Sequence, residues 1–284
     1  MSIAIKPLVT TELTELPELT ERQRRELEYH REYAESKKQM LAEAFNFDVV
    51  EEKKRRWWNQ YWDMYTYLLE QDLKGKNLLI IGCGFGEDAI NLAKAGANVS
   101  AYDLSPESID IASAVAEKEG LEIDFRVMPA EKLTYADNQF DIIIARDILH
   151  HVEIDETMAE VKRVSKPDGM LFFNEVYSHS IFKKIRYSRF IDKWLYPKMV
   201  SFVYRTDEPY ITEDEDRLTE VEVKQIAEQL GSIKKRSYFN VFVTRLLPDQ
   251  YVLVSMIDQL ILRILKPVAP LLGSRVIMAG VISK

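Results

Sequence analysis

The 284-residue sequence holds one cysteine, Cys83, and four histidines. A lone thiol excludes an internal disulfide and any cysteine-rich zinc site, and fits a reducing, cytoplasmic setting. Basic residues are in deficit: 38 Lys and Arg stand against 46 Asp and Glu, a formal net charge of −8. A chain-wide electrostatic footprint for nucleic acid is missing, so no nucleic-acid partner is expected and any basic surface has to be local. The opening MSIAIKPLVTTELTELPELTE has no basic stretch followed by an apolar one, so it reads as a polar tail rather than a signal peptide. Asp249 to Lys266 is mostly apolar, but it is short and interrupted by Asp258 and Arg263, which argues against a membrane span. Apart from the adjacent His150 and His151, no His, Asp or Glu cluster has metal-ligand spacing. Adjacent side chains on a helix or strand point different ways, so no metal is expected.

What is present is enough apolar material, 46% of residues, for one large core with additions. Residues 1–20 read as a disordered tail, and residues 21–72 as a helical cap with helices over Arg22 to Ala44 and Lys53 to Gln71. From Lys76 onward apolar runs alternate with helical segments. Strands are expected at Leu78 to Gly82, Val99 to Asp103, Ile123 to Val127, Phe140 to Ala145 and Met170 to Asn174, and helices from near Glu87, Pro106, Ile154 and Thr219. Short, mostly apolar strands such as FDIIIA belong in a parallel sheet covered on both faces, which predicts a doubly wound α/β fold.

Ligands of such sheets bind beyond the carboxyl ends of the strands, where the first loop, GCGFGEDA, should sit. A phosphate-binding P-loop needs Lys after its second glycine, but Glu87 and Asp88 stand here. A dinucleotide fingerprint needs glycine at position 87, and the third glycine comes one residue early, at Gly86. A pyrophosphate would meet two carboxylates, whereas a nucleoside carrying positive charge would suit the loop. A phosphate-dependent oxidoreductase therefore ranks low.

From here the sequence resembles the class I S-adenosylmethionine-dependent methyltransferases, over roughly Lys74 to Val176. LLIIGCGFGEDA resembles their first motif; VSAYDLSPESIDIA, RVMPAEKLTYADNQFDIIIARDILHHV and RVSKPDGMLFFNEV follow in the family's order. The resemblance implies a mostly parallel seven-stranded sheet with helices on both faces, and S-adenosyl-L-methionine as cofactor. The last two strands, Ser237 to Thr244 and Arg275 to Ser283, would form an antiparallel edge pair. It further implies a cofactor site of Gly82, Cys83, Gly84, Phe85 and Gly86, then Asp103 and Leu104, Ala130 and Glu131, and Ala145 and Arg146. Asp103 would accept hydrogen bonds from the ribose hydroxyls or, alternatively, cap the helix at Pro106. Cys83 reads as a space-filler rather than a reactive thiol. Family members often carry an acid where Pro129 stands, so the adenine contact shifts to the Ala130 backbone or the Glu131 side chain, unless Glu131 is only a solvated acid. His150 and His151 are the catalytic candidates, for proton transfer or for positioning, with at most one facing the acceptor and His150 preferred.

The implied division is a cofactor-binding core at 73–177, a basic, aromatic acceptor-side insert at 178–216, and the rest of the core at 217–284 with a helical insert at 249–272. Ser178 to Arg205 carries seven Lys and Arg against one acid, and Asp207 to Glu222 carries eight acids. These inserts leave open a lipophilic or anionic acceptor, a peripheral membrane contact, a homodimer interface and a plain structural cap. The expected function is methyl transfer from S-adenosylmethionine to a small or medium organic acceptor. The alternative is a catalytically silent binding or regulatory protein of the same fold.

Overall fold

The computed structural model describes residues 19–186, 188, 202–203 and 217–284. Most of the tail at 1–20, most of the insert at 178–205 and the acidic run up to residue 216 lie outside the described residues.

Seven strands form one sheet: β1 (Asn77–Ile81), β2 (Asn98–Asp103), β3 (Asp124–Val127), β4 (Phe140–Arg146), β5 (Ser165–Val176), β6 (Leu230–Phe239) and β7 (Arg275–Ile282), in the order β3-β2-β1-β4-β5-β7-β6. The first five pair in parallel, and β7 runs antiparallel between β5 and β6. The fold is thus the doubly wound α/β sheet expected. Alternation along the apolar strands sends Leu79, Ile81, Ile143 and Ala145 to one face and Leu78, Ile80, Ile142 and Ile144 to the other. A strand buried on both faces needs a continuous apolar stretch, which Leu78 to Ile81 of β1 and Ile142 to Ala145 of β4 provide.

The helices are α1 (Glu21–Lys37), α2 (Asp48–Glu51), α3 (Gln60–Leu69), α4 (Glu87–Lys94), α5 (Pro106–Lys118), α6 (Ile154–Val164) and α7 (Ser180–Arg186), followed by the helices Glu220–Glu228, Val252–Ile264 and Ala269–Leu272. On one face Met158, Val161 and Val164 of α6 join Val223 and Ile226 in the core; on the other, Trp62, Met64, Tyr65 and Leu68 of α3 join Ala89 and Leu92 of α4. Ala34 of α1 packs with Ile90 and with Ile111, Val115 and Ala116 of α5. The strand order reverses between β1 and β4, which places the crevice above their carboxyl ends.

Four boundaries differ clearly from expectation. The first helix, expected to reach Ala44, ends at Lys37 and is followed by a 3-10 turn over Lys38–Leu41. The second helix does not begin at Lys53: α3 starts at Gln60 because the Asn59 side chain accepts the backbone N–H groups of Tyr61 and Trp62. The strand expected at Met170 to Asn174 extends over Ser165–Val176. The sixth strand runs over Leu230–Phe239, not Ser237–Thr244. Its Lys234, Lys235 and Arg236 suit an open sheet edge, and beyond it Asp258 takes the N–H groups of Val241 and Phe242 in place of a ladder.

Candidate active site

Gly84 and Gly86 do different work in the first loop. Gly84 has φ of 49°, and a Cβ there would meet no atom within 4 Å, so its backbone borders open space. Gly86 has φ of 83°, and a Cβ would lie 2.8 Å from Ala112 Cβ. It starts α4 and lets α5 pack close. Asp103, at the end of β2, holds the loop through Gly84 N–H donating to Oδ2 at 2.8 Å, while Ser105 N–H donates to Oδ1 at 3.0 Å. The cap of α5 is Ser105, whose Oγ accepts from Ser108 N–H.

A cavity of about 200 Å3 opens above this loop. Gly82, Gly84, Phe85, Asp103, Leu104, Ala130 and Glu131 line it, and so does Pro129. Cys83, Gly86, Ala145 and Arg146, expected there, are not among the lining residues. Burial and the nearby Asp103 charge push the Cys83 thiol up, which suits a space-filler. Ala145 lies within the sheet core. Arg146 turns to the start of α4, with Nε 2.6 Å from Asp88 Oδ2 and Nη2 2.9 Å from Glu87 Oε2, and Tyr65 donates to the other Asp88 oxygen. The acids that open α4 are therefore paired by a cation three strands of sequence away and do not face the cavity. Glu131 is tied rather than solvated: its oxygens accept from Gln23 Nε2 and Glu153 N–H.

Sequence reading missed the contribution of α1. Gln23, Glu26, His30 and Tyr33 recur at helical spacing and close one wall of the cavity. Tyr33 lies against Phe85 at 5.6 Å between ring centroids, and Arg22 Nη2 donates to the His150 carbonyl at 2.6 Å. His151 Nδ1 is 3.1 Å from Glu26 Oε1. Burial pushes the Glu26 carboxyl up, but that hydrogen bond and the His151, His30 and Arg22 charges outweigh it and hold the group below the usual carboxylate range.

A second cavity of about 570 Å3 adjoins the first, sharing Tyr33, Asp147 and His151. Its described lining is largely polar and includes Asn59, Gln60, Arg217, Asn240, Thr244, Ser255 and Arg275. Both histidines line it, with ring centroids 4.0 Å apart. At most one of them is expected from the sequence to face the acceptor; both border this cavity. Asp147 adopts φ of 55° and His151 N–H donates to the Ile148 carbonyl, so the segment is a turn in which neighbouring side chains can converge. Burial pushes the Asp147 carboxyl up, but the Arg275 and Arg146 charges prevail and hold it low.

His150 is buried, with Nδ1 2.8 Å from Oε2 of the fully buried Glu175. The other Glu175 oxygen accepts Ile148 and Leu149 N–H, both at 2.8 Å. An ionised Glu175 requires the proton on Nδ1, which leaves Nε2 as the basic nitrogen of a neutral ring. In sequence Glu175 lies just past the expected strand Met170 to Asn174, with no signal that marks it.

Residues 79–173 match the family model described as a methyltransferase domain. The ubiquinone biosynthesis O-methyltransferase of Actinobacillus pleuropneumoniae is 38% identical over 112 residues, 37% of this chain and 47% of the relative. The protein of the same name from Coxiella burnetii is 36% identical over 132 residues, 42% of this chain and 56% of the relative. The chain thus spans about half the length of the curated relatives it matches. Among solved structures, magnesium protoporphyrin IX methyltransferase from Synechocystis PCC 6803 superposes with a TM-score of 0.53 at 16% identity, over 93% of this chain and 100% of that one. The 4+2 cyclase SpnF superposes with a TM-score of 0.54 at 19% identity, over 93% and 96%. Fold, motif order and family match agree: residues 79–173 form a methyltransferase domain.

Proposed function

We propose that the chain transfers a methyl group from S-adenosylmethionine to a hydroxyl of a small or medium organic acceptor. The observation that carries the cofactor choice is the charge of the first cavity. Glu26, Asp103, Glu131 and Asp147 line it, with no Lys or Arg among the described lining residues. Glu26 is paired with His151 and Asp147 with Arg275, whereas Asp103 and Glu131 accept from neutral N–H donors, so the wall favours a cationic nucleoside over a pyrophosphate. The residues fit in detail as well. Each Asp103 oxygen accepts one backbone N–H and keeps acceptor capacity for a ribose hydroxyl, and Gly84 leaves the space a side chain would fill. Ser108 Oγ and Glu26 Oε2, both in lining residues, are buried without a hydrogen-bond partner among the described residues.

When bound, the cofactor supplies an already activated methyl on sulfur, so the protein's task is alignment, exclusion of water and proton removal. The second cavity holds the acceptor. His150 Nε2 takes the hydroxyl proton as oxygen attacks, and Glu175 fixes the ring and balances the imidazolium charge. His151, shared by both cavities, orients the junction. Oxygen as the methylated atom is supported by the names of the relatives, both O-methyltransferases. Cytoplasmic residence belongs to the same proposal and rests on the lone thiol.

The test is mass spectrometry of reactions with S-adenosylmethionine and a panel of phenols and alcohols. S-adenosylhomocysteine and methylated product should accumulate together, and only when an accepted substrate is present. The fold alone does not guarantee this, since a 4+2 cyclase shares it. Cofactor binding without product from any acceptor would favour the silent reading.

A further inference from the structure

The helix Val252–Ile264 is turned inside out. Leu253, Ile257, Leu260 and Ile264, at 70%, 51%, 49% and 70% exposure, fall within an arc of about 60° at 100° per residue. The opposite, buried face carries Ser255, Asp258 and Gln259 beside a single large apolar residue, Leu262. A surface helix of a water-soluble domain has the reverse arrangement. The polar face is occupied: Asp258 accepts Val241 and Phe242 N–H, and Ser255 lines the second cavity. Exposed Leu265 and Val268 continue the apolar side, and exposed Phe242 and Leu246 stand on the turn that Asp258 holds. Exposed Ile181 belongs to α7, whose Phe182 ring lies 5.0 Å from the Arg245 guanidinium of that turn.

Charge identifies the occupant. In a chain of net charge −8, this helix and α7 expose no carboxylate: α7 has none, and Asp258 is buried. Exposed Arg263, Lys266 and Lys184 accompany the apolar side chains. Pairing two copies through the same face would bring these cations against one another. A span is excluded by length, because 13 residues cover about 20 Å and the bilayer core needs about 30 Å. We infer that this face docks on an anionic lipid bilayer, with the helix Val252–Ile264 lying in the headgroup plane and its polar side toward the second cavity. The inference goes beyond methyl transfer and does not depend on it, since docking is read without turnover.

Flotation of the full chain with phosphatidylcholine vesicles, with and without phosphatidylglycerol, tests it directly. The protein should float with the anionic vesicles and lose that binding as salt is added. Leu253→Ser combined with Ile257→Ser should weaken binding about tenfold or more, and Lys266→Glu about fivefold or more. Circular dichroism and analytical ultracentrifugation accompany each variant. If the double variant fails to fold, Lys266→Glu decides alone. No flotation of the wild type, equal flotation of wild type and variants, or a wild-type dimer that the double variant dissociates without any lipid binding would each overturn the inference.

Discussion

Glu175 shows what a single residue does in this site. Fully buried, it spends one oxygen on two backbone N–H groups of the turn after β4 and the other on His150. Glu175→Gln removes the charge while keeping the shape. It should lower kcat about a hundredfold and leave the affinity for S-adenosylmethionine nearly unchanged. His150→Gln should cost a similar factor, and the double variant little more than either, because the two act as a unit. Steady-state kinetics with calorimetry reads this; equal losses of affinity, rate and melting temperature would reduce the pair to a scaffold. Asp103→Ala should weaken cofactor binding by about 1.5 to 3 kcal/mol through loss of charge-assisted hydrogen bonds. It should also lower the melting temperature, because Asp103 holds the Gly84 and Ser105 amides. Unchanged affinity by calorimetry would remove the ribose role.

Helix α1 meets the site through ionisable and polar side chains and has little apolar attachment. Its described buried residues are Glu26, Leu27 and Ala34, and it meets the site through Gln23–Glu131, Glu26–His151 and Arg22 on the His150 carbonyl. Burial raises the Glu26 carboxyl, but the His151 hydrogen bond and the His151, His30 and Arg22 charges hold it below the usual carboxylate range. A depressed folded value means that its stabilisation is present above the unfolded pKa and is lost as pH falls through the folded one. The melting-temperature gap between wild type and Glu26→Gln should therefore be full at neutral pH and close below about pH 4. A gap that persists in acid would show that hydrogen-bond shape, not charge, sets it. This element also marks a limit of the sequence. β1 and β4 were legible because burial on both faces demands unbroken apolar runs, and the glycine loop and Asp103 because they are local. The inner face of α1 was not, since a helix polar on all sides offers no contrast between its faces. β6 hid for a related reason: an edge strand tolerates KKR, which reads as a solvent loop. Glu175 was hidden because its partners come from a segment 25 residues away.

On the scale of the whole molecule, two adjoining cavities differ in charge: the described lining of the first has acids and no Lys or Arg, whereas that of the second includes Arg217 and Arg275. Glu87 and Asp88, which in the sequence argue against a phosphate ligand, are both paired by Arg146 away from the cavity. The case against phosphate rests instead on Asp103 and Glu131, since Glu26 and Asp147 are themselves paired with His151 and Arg275. The cationic, lipid-facing side sits beyond the second cavity, which gives an overall acidic chain an uneven charge distribution. Cofactor choice is decided by a calorimetric titration of the protein with S-adenosylmethionine and S-adenosylhomocysteine, repeated with NAD(H) or ATP already present. Both adenosyl ligands should bind in the micromolar range, about 8 kcal/mol, unaffected by NAD(H) or ATP. Binding of NAD(H) or ATP that displaces the adenosyl ligands, or no heat from S-adenosylmethionine at all, would contradict that choice.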